Sequence, residues 1–439
     1  DERLIAEHLL PVVLKLDRQP EAEGPNQSYF LLELESRLQQ LHGRIVVVSS
    51  TCRDEPSNFE LPDDNSYDWL WRSIRHFTVG RNGRAVQHAK LWLLQWSAPA
   101  GGGDEYMEIF VSSANLTYSA FKGQIQGCWK ACIKLEPRGS AARLKTWGIL
   151  NEFLSELDIS SGASGSLKLF QALLARADCP SGISFVASVP GKHTKLSLRK
   201  TPWGAKGLRN IVPPGRGEIG VSVLAPFVGE WNVDGLTQWC TAFGASPENL
   251  KLIWLGNEHP WKEFWLMPKA SLTALTHVGA TLLRHCFRKG DATEAEYFHT
   301  EHRLEDIRWS HAKVYAFRRG RSRRLLVTSA NFSPAAWGRC TSDGSIQIDN
   351  FELGVCIDGA IWPFDELKAF GNVDDVAVTA KLTQCNVDTT ITWGIASWDG
   401  VKVTVECRCR VGHDLTVEVV SGSAVVKVTA KWMLARDGI

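Results

Sequence analysis

One local pattern occurs twice in this chain. Gln87-His88-Ala89-Lys90 opens an apolar run, and a Gly-rich turn at 101–104 separates it from Ile109-Phe110-Val111-Ser112-Ser113-Ala114-Asn115. More than 200 residues later, Ser310-His311-Ala312-Lys313 opens a second run. A basic turn separates that one from Leu325-Leu326-Val327-Thr328-Ser329-Ala330-Asn331. Apolar and aromatic runs flanking a polar turn read as a β-hairpin in each case. A repeat of this kind implies two α/β halves of similar architecture, built by duplication.

The pattern also carries chemistry. On a strand, residues i and i+2 point to the same face, so His88 projects with Lys90 and His311 with Lys313. Asn115 and Asn331 close the following strands, where an amide can reach the same spot. Two such sets facing each other would gather two imidazoles, two ammonium groups and two amides in one pocket. Lys and Asn donors hold non-bridging phosphate oxygens and stabilise transition-state charge. One His can attack phosphorus while the other protonates the leaving oxygen. The lysines supply the positive charge, so no metal or other cofactor is called for.

Composition limits the alternatives. The chain has 439 residues, 49 Lys+Arg against 48 Asp+Glu, and a net charge of +1. That excludes a globally basic coat for nucleic acid and leaves room for a local basic cleft. Apolar residues make up 44 % and charged residues 22 %, enough for a large core without staples. No run approaches the roughly 18 apolar residues of a membrane helix. The start, Asp1 to Glu7, has no signal-peptide pattern and no initiator Met, so it reads as processed or as part of a longer chain. The 11 cysteines are odd in number, with no Cys-x-x-Cys pair. They read as reduced, mostly buried thiols of an intracellular protein, and a zinc ribbon is not expected. Cys128 and Cys132 stand one helical turn apart, or along a strand.

Several segments organise the rest. Gly43 to Ser49 and Leu250 to Leu255 read as buried strands, one in each half. Leu31 to Leu41 and Arg143 to Leu157 carry helical apolar spacing. Ser160 to Ser166, rich in Ser and Gly, is the expected boundary between halves. From Asp375 to Leu434 apolar residues alternate, as at Val401, Val403 and Val405, with turns between. That predicts a small antiparallel β-sandwich, a docking module without chemistry.

With these residues in view, the doubled motif resembles the phospholipase D superfamily. An Asp usual there four residues after the Lys is replaced by Gln95 and Arg318. The His-Lys-Asn form without that Asp resembles the tyrosyl-DNA phosphodiesterase family. Gln124 to Trp129, Ser329 to Gly338 and Asn350-Phe351-Glu352-Leu353-Gly354-Val355 are similar to that family's segments, as more weakly are Val189 to Lys192 and Trp203-Gly204. The resemblance spans roughly residues 40 to 360. It implies two phospholipase D-like α-β-α halves related by a pseudo-twofold, at 1–165 and 166–372, with the all-β piece at 373–439.

The resemblance also implies roles. His88 would form a covalent phosphohistidine with a DNA 3′ end. His311 would protonate the departing tyrosine phenolate and then activate water. Lys90, Lys313, Asn115 and Asn331 would hold the phosphate, and Gln126 and Glu352 would orient the histidines. Glu352 is expected on the far nitrogen of His311, raising its basicity, with neutral Gln126 beside His88. Substrate contacts are expected at Lys192, with Lys195, Arg199 and Lys200 nearby, and at Trp69 and Trp71, with Tyr67 and Phe77 as further stacking candidates. Core packing is the other reading for these aromatics. The basic turn from Arg318 to Arg324 is either a backbone contact or a solvated hairpin tip.

The family's aromatic residue upstream of the first His-x-Lys has no match in Arg81 to Gln87. Its Ser-rich DNA-contact segment is replaced near Ala225-Pro226-Phe227-Val228-Gly229. The partner implied is a single-stranded or frayed DNA 3′ end carrying a tyrosyl peptide or other adduct, with a protein partner for the β-domain. The location implied is the nucleus of a eukaryote or the cytoplasm of a prokaryote. Alternatives are a nuclease component of a larger assembly, such as a prokaryotic defence system, an inactive phosphate- or nucleic-acid-binding module, and lipid hydrolysis.

Overall fold

The computed structural model describes residues 25–41, 43–50, 74–79, 85–97, 103–117, 120–121, 124–259, 265–285, 309–341, 343–359 and 367–379, four strands between 391 and 430, and the single positions 5, 9, 10, 14, 16 and 262. Trp69, Trp71 and Tyr67 lie outside the described residues. The chain divides into two units, one of residues 1–51 and 61–381, the other of residues 52–60 and 382–439.

In the larger unit, Val46–Ser50 (β1) pairs in parallel with Arg75–Val79 (β2). The short strand Val86–Gln87 (β3) leads to the first hairpin, Leu91–Trp96 (β4) against Tyr106–Ser112 (β5). Gln124–Ile125 (β6) and Cys128–Lys134 (β7) follow, and β7 joins β5 to give a three-stranded antiparallel sheet. The two-residue period of a strand is clear in β5: Met107, Ile109 and Val111 are fully buried. Cys128 and Cys132 are thus strand residues. Among the six described cysteines, all free, Cys128, Cys132 and Cys340 are exposed, so the thiols are less buried than expected.

The helical segment after β7 is not continuous. It forms Ala141–Thr146 and Ile149–Ser161, broken where Gly148 takes φ +48°. Trp147, 1 % exposed, fixes the break, because its indole N–H donates to the carbonyls of Leu174 and Ala177, both at 3.0 Å. The Ser- and Gly-rich stretch caps the second helix through Gly162 at φ +66° and leads into the helix Lys168–Leu174. Leu167 and Leu174 then pack into the same core as β5.

The second hairpin belongs to an eight-stranded sheet. Its strands are Ile183–Ser188 (β8), Ile219–Leu224 (β10), Leu250–Trp254 (β11), Thr281–Arg284 (β13), Val314–Arg319 (β15), Ser322–Thr328 (β16) and Asn350–Asp358 (β19), with β3 as the eighth. Smaller strands between them are Gly191–His193 (β9), Met267–Pro268 (β12), Trp309–Ser310 (β14), Arg339–Cys340 (β17) and Ile346–Ile348 (β18). The order is β13-β11-β10-β15-β16-β19-β3, and β8 also pairs with β19. β10, β11 and β13 are parallel, which requires crossovers. The helices Val233–Ala242 and Lys269–His277 supply them. Asn232 caps the first of these by accepting from Gly235 N at 2.7 Å, and the helix buries Leu236, Trp239 and Cys240. The basic turn is the tip of the β15–β16 hairpin, where Gly320 takes φ +58°.

A cluster of buried aromatics lies under the second motif, with Trp239 beside Trp231, Tyr315 and Phe332. Its polar tips hold the backbone on both sides of Asn331. Tyr315 donates its hydroxyl to the Ala330 carbonyl at 3.2 Å, and Trp231 its indole N–H to the Phe332 carbonyl at 3.0 Å.

The segment at 373–379 belongs to this core rather than to the C-terminal piece. Val376 and Ala377 are fully buried there, and Trp254 donates to the Ala377 carbonyl at 2.9 Å. In the smaller unit, Ile391–Trp398 pairs antiparallel with Val403–Cys409, and Leu415–Ser421 with Ala424–Ala430. These are two separate hairpin ladders. No described helix is long and apolar enough to cross a membrane.

Candidate active site

Each histidine is placed by a pairing with a strand distant in sequence. β3 runs parallel to the start of β19, with Gln87 opposite Phe351, so His88 comes opposite Glu352. β14 runs parallel to β6, with Ser310 opposite Ile125, so His311 comes opposite Gln126. The His88 N–H donates to the Phe351 carbonyl at 3.1 Å and the His311 N–H to the Ile125 carbonyl at 2.8 Å.

The same bonds are made twice around the two motifs. Ser112 N donates to the Lys90 carbonyl and Thr328 N to the Lys313 carbonyl, both at 3.1 Å. The Ser113 hydroxyl donates to Gln126 Oε1 at 2.7 Å, and the Ser329 hydroxyl to Glu352 Oε2 at 2.5 Å. Ser113 Oγ accepts from Gly127 N, and Ser329 Oγ accepts from Leu353 N. The Ser of each Ser-Ala-Asn therefore props up the residue opposite a histidine. Its recurrence in both copies was the sequence signal for that role, which the motif chemistry left unused.

Glu352 corrects one expectation. Its carboxylate lies 2.9 and 2.8 Å from His88 Nδ1, so the acid sits on His88 and not on His311. The reason is the register of β3 on β19, which crosses between the two motifs. Asn350 Nδ2 also donates to Glu352 Oε1, at 3.1 Å. By register His311 stands opposite the neutral residue Gln126. Its surroundings are Gln126 by register, a hydrogen bond to the Ser113 backbone, and Lys313 Nζ at 3.1 Å from Nδ1 and 3.3 Å from Nε2.

The electrostatics join both motifs in one cluster. Burial lowers the pKa of His88; the Glu352 charge opposes this, and Lys90 and Lys313 reinforce it. His311 is pushed down to about 2, first by burial and then by Lys313, Lys90 and His88. Lys313, fully buried, is held well below its ordinary value by burial and by Lys90. Burial alone would raise the Glu352 carboxyl, yet the His88 ring and Lys90 outweigh it and keep it ionised. Both imidazoles are therefore held below their ordinary value, His311 the further of the two. With Nδ1–H donated to the carboxylate, His88 keeps its lone pair on Nε2. The His88 side chain is 23 % exposed.

The remaining candidates divide. Asn331 closes the second hairpin, and its buried Oδ1 has no hydrogen-bond partner among the described residues, which suits a ligand group. Asn115 is exposed at the equivalent place in the first motif. Lys192 lies on β9, paired with β18, and its ammonium forms an ion pair with Asp343 at 2.7 Å, both groups half exposed. Phe77 is a partly buried β2 residue packed against the core. Among the described residues no group of His, Cys, Asp and Glu could hold a metal ion. Phe227 is a residue that the motif chemistry missed: its ring centroid lies 6.0 Å from that of His311.

A family model described as tyrosyl-DNA phosphodiesterase matches residues 26–222 and 280–398, more than two thirds of the chain. Tyrosyl-DNA phosphodiesterase 1 of Arabidopsis thaliana is 24 % identical over 282 residues, 57 % of this chain and 44 % of that protein. The chain thus spans less than half the length of that curated relative. A crystal structure of the yeast tyrosyl-DNA phosphodiesterase aligns over 87 % of this chain and 91 % of its own, with 17 % identity and a TM-score of 0.48. A polyphosphate kinase from Porphyromonas gingivalis aligns over 82 % of this chain and 46 % of its own, with 12 % identity and a TM-score of 0.35.

Proposed function

The chain belongs to the tyrosyl-DNA phosphodiesterase family, and from that premise we propose that it hydrolyses the bond between a DNA 3′-phosphate and tyrosine or another 3′ adduct, as a repair enzyme. The observation that carries the reading is the pairing of Glu352 with His88 Nδ1 inside a cluster that also holds Lys90, His311 and Lys313.

The reaction has two steps. His88 Nε2 attacks phosphorus, the P–N bond forms, and the P–O bond to the phenol breaks. His311 gives the phenolate its proton. His311 then takes a proton from water, whose oxygen attacks phosphorus; the P–N bond breaks and a 3′-phosphate is released. Glu352 fits the nucleophile better than the acid, because it fixes the tautomer and raises the basicity of Nε2. His311, opposite a neutral amide, is the stronger acid once protonated. A phosphodiester anion between Lys90 and Lys313 offsets the charges that hold His311 neutral and so raises its pKa on binding. The two lysines, with Asn331 and Asn115, hold the non-bridging oxygens.

The same reading takes the two motifs as corresponding parts of two phospholipase D-like halves related by a pseudo-twofold. It takes the hairpins beyond residue 382 as an accessory β-domain with a protein partner, and a nuclear or cytoplasmic site of action. Lys192 belongs to the DNA side once its ion pair with Asp343 is exchanged for phosphate.

The test is incubation with a 3′-phosphotyrosyl oligonucleotide in EDTA, alongside His88→Ala and His311→Ala. The expected outcome is release of a 3′-phosphate end, abolished in His88→Ala and stalled as a covalent DNA adduct in His311→Ala. Cleavage of unmodified DNA with no release of tyrosine refutes the reading.

A further inference from the structure

Phe227 stands out among the side chains near the histidines. It is 46 % exposed, while Ala225 and Val228 beside it are 0 % and 6 % exposed. A large apolar ring left in water beside a polar cluster is an uncompensated cost of the free protein. The ring beside it is that of His311, at a centroid distance of 6.0 Å and an interplanar angle of 77°.

The loop that carries it is pinned from several sides. Val228 bridges Phe332, and the Gly229 N–H donates to the Phe332 carbonyl at 2.9 Å. The Ser271 hydroxyl donates to the Gly229 carbonyl at 2.8 Å, and Ser271 Oγ accepts from Trp231 N at 2.9 Å. Gly229 has no room for a side chain, since a Cβ there would lie 2.5 Å from Ser333 Cβ. Phe227 is therefore held in place before any ligand arrives, next to the strand end that bears Asn331.

We propose that Phe227 is the wall of a subsite for an aromatic leaving group, and that it sets a preference for phenol esters over alkyl esters. The inference rests on the proposed phosphodiesterase reading, in which His311 protonates the leaving oxygen. That oxygen must come within about 3 Å of a His311 ring nitrogen. In a tyrosyl ester the phenol ring is joined directly to that oxygen. It thus lies beside a ring already in edge contact with His311, within the range of about 4.5–7 Å over which aromatic pairs attract. A nucleobase reaches phosphorus only through its sugar and is several bonds further away. An alkyl adduct offers no π-face to Phe227.

Two oligonucleotides test this, one ending in a 3′-(4-methylphenyl) phosphodiester and one in a 3′-methyl phosphodiester, with wild type, Phe227→Ala, Phe227→Leu and Phe227→Trp. Phe227→Ala is expected to lower kcat/KM about 3- to 10-fold on the aryl ester, the range of one aromatic pair, and less than twofold on the methyl ester. Phe227→Trp retains the aryl activity, and Phe227→Leu separates loss of the π-face from loss of bulk. An equal loss on both esters, or none on the aryl ester, overturns the proposal. Binding of the same oligonucleotides by fluorescence anisotropy, before turnover, is the second readout. If wild type cleaves neither ester, the phosphodiesterase reading fails. The subsite then stands if the aryl-over-methyl affinity ratio falls in Phe227→Ala, and falls with that reading if the ratio is unchanged.

Discussion

Replacing Glu352 by Gln is the sharpest perturbation of the proposed reacting centre, because it changes charge at constant shape. The carboxylate is 2 % exposed and only accepts: from His88 Nδ1–H, from the Ser329 hydroxyl and from Asn350 Nδ2. A hydrogen bond to a charged group is worth about 1.5–3 kcal/mol and a neutral one about 0.5–1.5 kcal/mol. Loss of the charge alone then removes about 1–1.5 kcal/mol, roughly tenfold in rate. Gln does more than lose a charge. It has one acceptor oxygen for three donors, so its amide N–H2 must face one of them. If it donates to His88 Nδ1, the ring proton moves to Nε2 and the nucleophilic lone pair is lost. An inverted tautomer behind a catalytic histidine costs about 10⁴-fold in the serine proteases. The expected fall in kcat is therefore between about 10- and 10⁴-fold, beside a loss of stability of about 1–3 kcal/mol from the buried donor left without an acceptor. Single-turnover cleavage of a 3′-phosphotyrosyl oligonucleotide measures it. Retention of more than half the wild-type rate would refute the role of Glu352 in holding the nucleophile.

Three further outcomes follow from the same geometry. Lys313→Met keeps the buried volume but removes the charge that, after burial, contributes most to lowering His311; the His311 titration seen by NMR should move up and phosphodiester binding should weaken, and a static titration would contradict the electrostatic account. Gly229→Ala should lower stability by about 1–3 kcal/mol, since its Cβ would meet Ser333 and Pro334 within 2.9 Å; an unchanged denaturation midpoint would show that the loop yields. His259, His285 and His311 are all buried, with values lowered to about 4, about 3 and about 2. Below pH 6.5 the unfolded chain takes up protons that these folded rings refuse, so stability is full above that pH and falls as pH drops, by at most about 1.4 kcal/mol per unit and per histidine. His285→Phe should recover about 2–3 kcal/mol of the loss between pH 6.5 and 4.5 by urea titration, and an acid loss equal to wild type would refute this.

Much of the site was legible because it is local chemistry. His88 and Lys90 share a strand direction, as do His311 and Lys313, and the Ser-Ala-Asn ends recur in both copies; alternation of side chains along a strand is enough to group them. The hairpins, the buried strand at Leu250 and the helical spacing after β7 were legible for the same reason. The break at Gly148 was not, because the buried indole of Trp147 holds it through the carbonyls of Leu174 and Ala177, some 30 residues on. Nor was the inclusion of Val376 and Ala377 in the main core, since exposure depends on what folds over a segment.

The pairing of Glu352 with His88 was beyond reach of any local rule. The two residues are 264 positions apart, and the two-residue strand β3 brings them together by pairing with β19. A one-residue slip in such a register turns every side chain to the other face. Phe227 beside His311 is the same kind of fact: its sequence neighbours are apolar, and only the pinned loop decides that the ring stays in solvent next to that histidine. Which residue types gather at this site was set by the order of amino acids along each strand. Which carboxylate tunes which histidine was set by strand pairing across the whole fold, because hydrogen-bond register between distant segments has no signature within either one.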